Sequence, residues 1–184
     1  MKTYIALLRA VNVGGTGKLP RSHFRTLLEN LGYCNVQTYI QSGNAVFDAP
    51  GPAGKVSQAI AAGLQRLMGA PCCVILRTHE ELDRIIAANP FAGEAAAEGA
   101  RVHVAFLRVP APAAASAALD RIVTQYPARR DRYRLAGDTL YLHLPDGAAE
   151  TRFVGKSLDR ALGGIPATAR NWNTVLKLHS LSIR

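Results

Sequence analysis

The chain has 184 residues, 48% of them hydrophobic and 19% charged, with a formal net charge of +9. This balance excludes a disordered polymer and fits one folded domain, or two small modules sharing a core. The positive charge favours anionic partners: nucleic acid, an acidic membrane surface or phosphorylated small molecules. It is spread evenly, with nine Lys/Arg against five Asp/Glu over residues 1–90 and thirteen against eight over residues 91–184.

The first predicted element is a strand over residues 3–8, apolar on both faces: Tyr4, Ala6 and Leu8 on one side, Ile5 and Leu7 on the other. A loop containing Arg9, Asn12, Gly14, Gly15, Gly17 and Lys18 follows. Phe24, Leu27, Leu28 and Leu31 then recur at helical spacing, with Pro20 near the start and Gly32 as a stop. The β-rich run 36–41, the pair Ser42-Gly43 and a second run from Asn44 to Phe47 predict a hairpin with a tight turn. Residues 55–68 predict a helix with Val56, Ile60, Leu64 and Leu67 on one side, and residues 72–76 a strand. Cys72 and Cys73, adjacent in that strand, are expected to be buried on opposite faces. The first 76 residues thus read β-α-β-β-α-β, the ferredoxin-like split motif.

A linking helix over residues 79–88, capped by Thr78, precedes an Ala/Gly-rich boundary at residues 89–100. The element order then repeats: a strand at 102–107, a helix at 113–125, strands at 132–135 and 139–144, a helix at 152–162 and a short strand at 167–169. A final helix over 171–181 follows, with Trp172, Val175 and Leu176 as its apolar stripe. The expected fold is therefore α+β, a duplicated ferredoxin-like arrangement with a linking helix and an extra C-terminal helix. Its halves are residues 1–90 and 91–184, packed as one compact unit. In the second sheet Leu140, Leu142 and Leu144 alternate with Thr139, Tyr141 and His143, and Arg130, Arg132 and Arg134 lie nearby. One face is expected to be core, the other polar, basic and partly aromatic.

No stretch approaches a membrane-spanning length. The opening apolar run, ended by Arg9, is too short for the core of a signal peptide. Cys34, Cys72 and Cys73 show no metal-ligand spacing. A reduced cytosol is the expected compartment. His23, His79, His103, His143 and His179 form no H-x-x-x-H or H-E-x-x-H group, so no metal site and no cofactor is expected. Acidic residues are scattered, and no paired-carboxylate chemistry is indicated.

Three segments, Leu8–Gly15, Thr38–Phe47 and Thr168–Leu178, together resemble the bacterial family catalogued as domain of unknown function 1697. The resemblance implies a bacterial cytosolic protein with a duplicated ferredoxin-like α+β fold. It supplies no activity.

Candidate site residues come from the same segments. The run Gly14-Gly15-Thr16-Gly17-Lys18 fails as a P-loop: Asn12 stands where the first glycine belongs, and Leu19 where the metal-binding hydroxyl belongs. A looser anion nest remains, built from Gly14 and Gly15 amides with Arg9 and Lys18, against a plain connection in which Asn12 makes a local turn bond. Gln41, Ser42 and Asn44 offer polar groups at the hairpin turn, without the elbow of a nucleophilic serine. Arg170, Asn171 and Asn173 open the last helix, where Asn171 can be a cap or an anion contact.

These residues suggest binding of an anionic ligand, a phosphorylated small molecule, a nucleotide or nucleic acid, at loops between the two halves. The alternative is an enzyme acting on a phosphorylated or carboxylated metabolite in the same cleft. No residue is marked as catalytic, nucleic acid has only weak support because the RNP1 signature is missing, and oligomeric state is not readable.

Overall fold

The computed structural model describes residues 1–12, 17–127 and 129–183. Its contacts divide the chain into two units, Met1–Ile86 with Leu176–Arg184, and Ala87–Val175.

The first unit runs β1 (Lys2–Leu8), α1 (Arg21–Asn30), β2 (Cys34–Tyr39), β3 (Asn44–Ala49), α2 (Ala53–Met68), β4 (Val74–Arg77) and α3 (His79–Ala87). The strands form an antiparallel sheet in the order β2-β3-β1-β4. On one face Tyr4, Ala6, Leu8 and Phe47 pack with Phe24 and Leu28 of α1 and Ile60 and Leu64 of α2. The opposite face, with Ile5, Leu7, Val46 and Ile75, is equally buried, as the unbroken apolar run of β1 predicts. Leu67 departs from its expected side and is exposed. Leu31 is the C-cap of α1, and Gly32 after it takes the left-handed conformation (φ +79°) that glycine tolerates best. Thr78 and Glu81 form a reciprocal capping box: the Glu81 amide donates to Thr78 Oγ1 (3.3 Å) and the Thr78 amide to Glu81 Oε2 (2.8 Å).

Two expectations for this unit are corrected. Cys72 and Cys73 precede β4 instead of lying in it; Cys72 is buried, and burial pushes its thiol up to about 11, while Cys73 is only half-buried. The hairpin turn takes four residues, 40–43, because β2 ends at Tyr39 and pairs it with Asn44.

The second unit contains α4 (Ala92–Ala97), a 3-10 turn (Gly99–Arg101), β5 (Val102–Leu107), α5 (Ala115–Gln125), β6 (Arg132–Ala136), β7 (Thr139–His143), α6 (Gly155–Ala161) and β8 (Ala167–Asn171). Its antiparallel sheet has the order β6-β7-β5-β8. Helix α7 (Trp172–Ser182) starts in this unit and ends in the first. The Ala/Gly-rich segment read as a boundary is mostly helical, since alanine is the best helix former and outweighs the glycines. On α7 the buried stripe is Trp172, Val175 and Leu178; Leu176 is exposed.

The open basic face is also corrected. Thr139 and Tyr141 are buried, as are Val104 and Arg170 in the same cross-strand rows. His103 pairs with Leu142 and so lies on the face opposite His143. Burial of Tyr141, with Asp138 nearby, raises its phenol to about 12. It is not an open stacking surface.

His103 gives this unit an acid sensitivity. Burial holds its imidazole below the ordinary value of 6.5, opposed by a bond to the Arg101 backbone. Its Nδ1 has no partner among the described residues. A depressed histidine stays neutral in the fold while the unfolded chain takes up a proton. Its contribution is therefore complete above about pH 6.5 and fades as pH falls towards the folded value. Stability measured by urea unfolding between pH 7 and 5 should fall by up to about 1.4 kcal/mol per pH unit for this one proton. His103→Gln should flatten that slope. An unchanged slope in the variant would assign the effect elsewhere, first to His143, which burial and Arg132 also hold low.

Candidate functional site

The loop after β1 is held by backbone bonds at its start and by one side chain across its span. The Leu8 amide donates to Gly43 O (2.8 Å) and the Arg9 amide to Cys73 O (3.0 Å). Ala10 and Asn12 then turn through positive φ (59° and 55°), a conformation asparagine tolerates better than most residues. The Asn12 side chain pairs with both backbone groups of Leu19: its Oδ1 accepts from the amide (2.8 Å) and its Nδ2 donates to the carbonyl (2.9 Å). Nδ2 also donates to the Gln41 carbonyl. Asn12 thus ties Leu19, just before α1, to the hairpin turn.

Gly14 and Gly15 lie outside the described residues. Lys18 is exposed, and Arg9 is half-buried. Just beyond them α1 begins behind Pro20 with no side-chain cap and no acidic residue in its first turn. The residues there are Arg21, Ser22 and His23, all exposed. A helix start carries partial positive charge and unpaired amides, so acidic or capping side chains normally stand there. This start has cations instead. Lys18 and Arg21 therefore face an electrostatic cost that a bound anion would relieve. Arg21 and His23 were missed in sequence because they read as the polar side of an amphipathic helix. The missing first-turn acid was the available signal.

At the hairpin turn Asn44 is buried, and its Nδ2 donates to Ser42 Oγ (2.8 Å) and the Tyr39 carbonyl (3.2 Å). Gly43 has φ +74°, with Leu8 and Val11 packed against its α-carbon. Of the predicted set, the first unit brings Asn12 and Gln41 together, and Ser42 with Asn44.

Arg170, Asn171 and Asn173 belong to the second unit. Arg170 is buried, and its Nη1 donates to Thr168 Oγ1 (2.8 Å) and the Ala169 carbonyl (2.7 Å) of its own strand. Burial lowers the guanidinium to about 10, which leaves it cationic at neutral pH. Asn171 caps α7, accepting the Thr174 amide on Oδ1 (2.9 Å). Asn173 Oδ1 lies where a β-carbon on Gly99 would stand, so this asparagine packs on the 3-10 turn.

A model of the family described as protein of unknown function (DUF1697) matches residues 1–141. The chain belongs to that family. No curated protein matches the chain. Among solved structures it is similar to a conserved bacterial protein from Streptococcus pneumoniae, with 17% identity, a TM-score of 0.64 and 98% of each chain covered. That likeness concerns the fold, and neither the family description nor the structure's title names an activity.

The histidines, scattered in the sequence of this DUF1697 chain, do not all stay apart in the fold. His79 and His179 stack with ring centroids 4.5 Å apart, and Asp83 is bonded to His179.

Proposed function

We propose that this protein binds a small anionic ligand, a phosphorylated or carboxylated metabolite, at the loop joining β1 to α1. The carrying observation is the cationic, uncapped start of α1 behind a loop whose ends are pinned by Asn12. Arg9 and Lys18 flank that loop, and the amides of the first helical turn point along its axis.

We also read the chain as two ferredoxin-like halves related by duplication. The strand orders correspond, and several bonds recur in the same places. Leu8 N to Gly43 O is matched by Leu107 N to Asp138 O, and Arg9 N to Cys73 O by Arg108 N to Pro166 O. Arg77 pairs with Ile5 and is followed by the cap Thr78; Arg170 pairs with Val104 and is followed by the cap Asn171. On this reading the counterpart of the glycine loop is residues 109–114, Val-Pro-Ala-Pro-Ala-Ala, without glycine or cation. The contrast supports a ligand site in the first half only.

The second unit favours a small ligand over nucleic acid. Arg129, Arg130 and Arg132 pair with Glu150, Asp146 and Glu94, which offsets much of the positive charge there. Tyr141 is buried away from any base.

Calorimetric titration with phosphate, pyrophosphate and a mononucleotide tests the proposal, with Lys18→Glu/Arg21→Glu as the comparison. Charges at a helix start are worth roughly 0.3–1 kcal/mol each and a reversal counts twice, so reversing two should weaken binding by at least about tenfold. Added salt should weaken it further. Absence of millimolar binding, or an affinity unmoved by the double reversal, overturns the assignment.

A further inference from the structure

His79 and Asp83 are four residues apart on α3, one turn along the same face. His179 reaches them from α7, 96 residues beyond Asp83 in sequence, and His79, Asp83, His179 and Ser182 all belong to the first unit. His179 Nε2 stands 2.6 Å from Asp83 Oδ1, and His79 Nε2 stands 3.4 Å from Asp83 Oδ2. One ligand atom from each residue can be chosen so that all three lie within 4.8 Å of one another. A tetrahedral ion with bonds of 2.0–2.2 Å separates its ligands by about 3.4 Å, which the His79–Asp83 pair already matches, while the hydrogen-bonded His179–Asp83 pair has to part by under 1 Å to admit an ion.

A fourth residue sets the chemistry of His79. Ser182 is buried, and its hydroxyl donates to the His179 carbonyl (2.7 Å). That bond uses its one hydrogen, so at 2.8 Å from His79 Nδ1 the serine oxygen must accept. His79 therefore carries its proton on Nδ1 and, when neutral, presents the Nε2 lone pair on the Asp83 side. An imidazole whose outer N–H is held while its inner nitrogen is left for an ion is the usual arrangement around metal-bound histidine.

We infer that His79, Asp83 and His179 form a binding site for one divalent cation of the zinc class, oriented by Ser182. Two imidazoles and one carboxylate suit zinc and its neighbours in the transition series; calcium and magnesium take all-oxygen sites. Three protein ligands leave a coordination position for water or an anion. The ring planes are 18° apart, so they must open for both lone pairs to converge on one ion. His79 and Ser182 also line a groove with the cations Lys2 and Arg84 and the acids Glu80 and Glu81, so one side of the cluster opens to solvent and to an incoming ion. The inference rests on α3 and α7 alone and is independent of the loop site.

The test is a titration of chelator-treated full-length protein with Zn²⁺, repeated with Co²⁺, whose visible absorption reports a nitrogen- and oxygen-ligated site. Cys34 is an exposed thiol and another zinc ligand, so all proteins carry Cys34→Ser. One equivalent of Zn²⁺ should bind, and His79→Gln and His179→Gln should each abolish stoichiometric binding. Ser182→Ala, which touches no ion, should weaken binding 10- to 100-fold, the usual effect of losing a partner that orients a ligand. Asp83→Asn changes a half-exposed side chain at constant shape and should also lose the ion, which covers the case in which a histidine variant does not fold. No stoichiometric binding in the parent, or binding that survives both Asp83→Asn and His179→Gln, overturns the inference. In that event the cluster is a hydrogen-bonded latch between α3 and α7.

Discussion

Gly43→Ala should destabilise the protein by about 2–5 kcal/mol, one of the largest effects expected of a single methyl group in this chain. Two separate costs combine. The backbone at Gly43 has φ +74°, where an L side chain loses roughly 1–2 kcal/mol. An alanine Cβ would also stand 2.7 Å from Leu8 Cβ and closer still to Val11 Cγ2. Leu8 cannot retreat, because its Cβ is fixed to the β1 backbone and its amide is bonded to the Gly43 carbonyl. Overpacking of this kind costs a further 1–3 kcal/mol. Gly69→Ala separates the terms, since Gly69 has nearly the same φ (+71°) but open space around its missing side chain. Urea unfolding should give Gly69→Ala the backbone cost only, with Gly43→Ala larger by the packing term. Equal losses would mean that the turn relaxes away from Leu8 and Val11. The same substitution should also loosen the Asn12–Gln41 bond, because that bond ends on the same turn.

The turn shows where the sequence was readable and where it was not. Ser42-Gly43 between two β-rich runs marks a hairpin, and a hairpin is present. The need for glycine at that position comes from Val11 and Leu8, whose approach depends on tertiary packing. Asn12 reads in sequence as a turn residue, and the side chain does bond locally. Its pairing with both backbone groups of Leu19 could not be read, because the residues between them carry no periodicity. Arg170 was misleading for a simple reason: arginine in a polar motif reads as exposed, whereas here it is buried and bonded within its own strand. The histidine cluster was half legible. His79 and Asp83 share a helix face at a readable spacing, but His179 joins them only because α7 returns to the first unit. The polar face of β7 failed as a surface because alternation separates two faces without saying that either is open: Tyr141 alternates with Leu140 and Leu142, and all three are buried.

Strand β1 is where the same reasoning succeeded, and it carries the second large expectation. In a strand with one wet face, truncations should alternate between costly and neutral along the chain. Here Ile5 and Leu8 point to opposite faces and are 0% and 1% exposed. Ile5→Ala and Leu8→Ala should therefore each cost about 2–5 kcal/mol, the range for burying a cavity of three methyl or methylene groups. Leu8→Ala removes contacts within the cluster formed with α1 and α2. Ile5→Ala tests the other face, where Ile5 pairs with Val46 and Arg77 across the sheet. Leu176→Ala is the control: its place in α7 suggested a core stripe, but the side chain is 42% exposed and truncation should stay within about 0.5 kcal/mol. Denaturant midpoints at constant slope would read all three. A neutral Ile5→Ala would mean that its face of the sheet is solvated in solution and that β1 is an ordinary half-buried strand. Equal losses at Ile5 and Leu8 would instead make β1 a strand covered on both sides, the property its unbroken apolar run predicts.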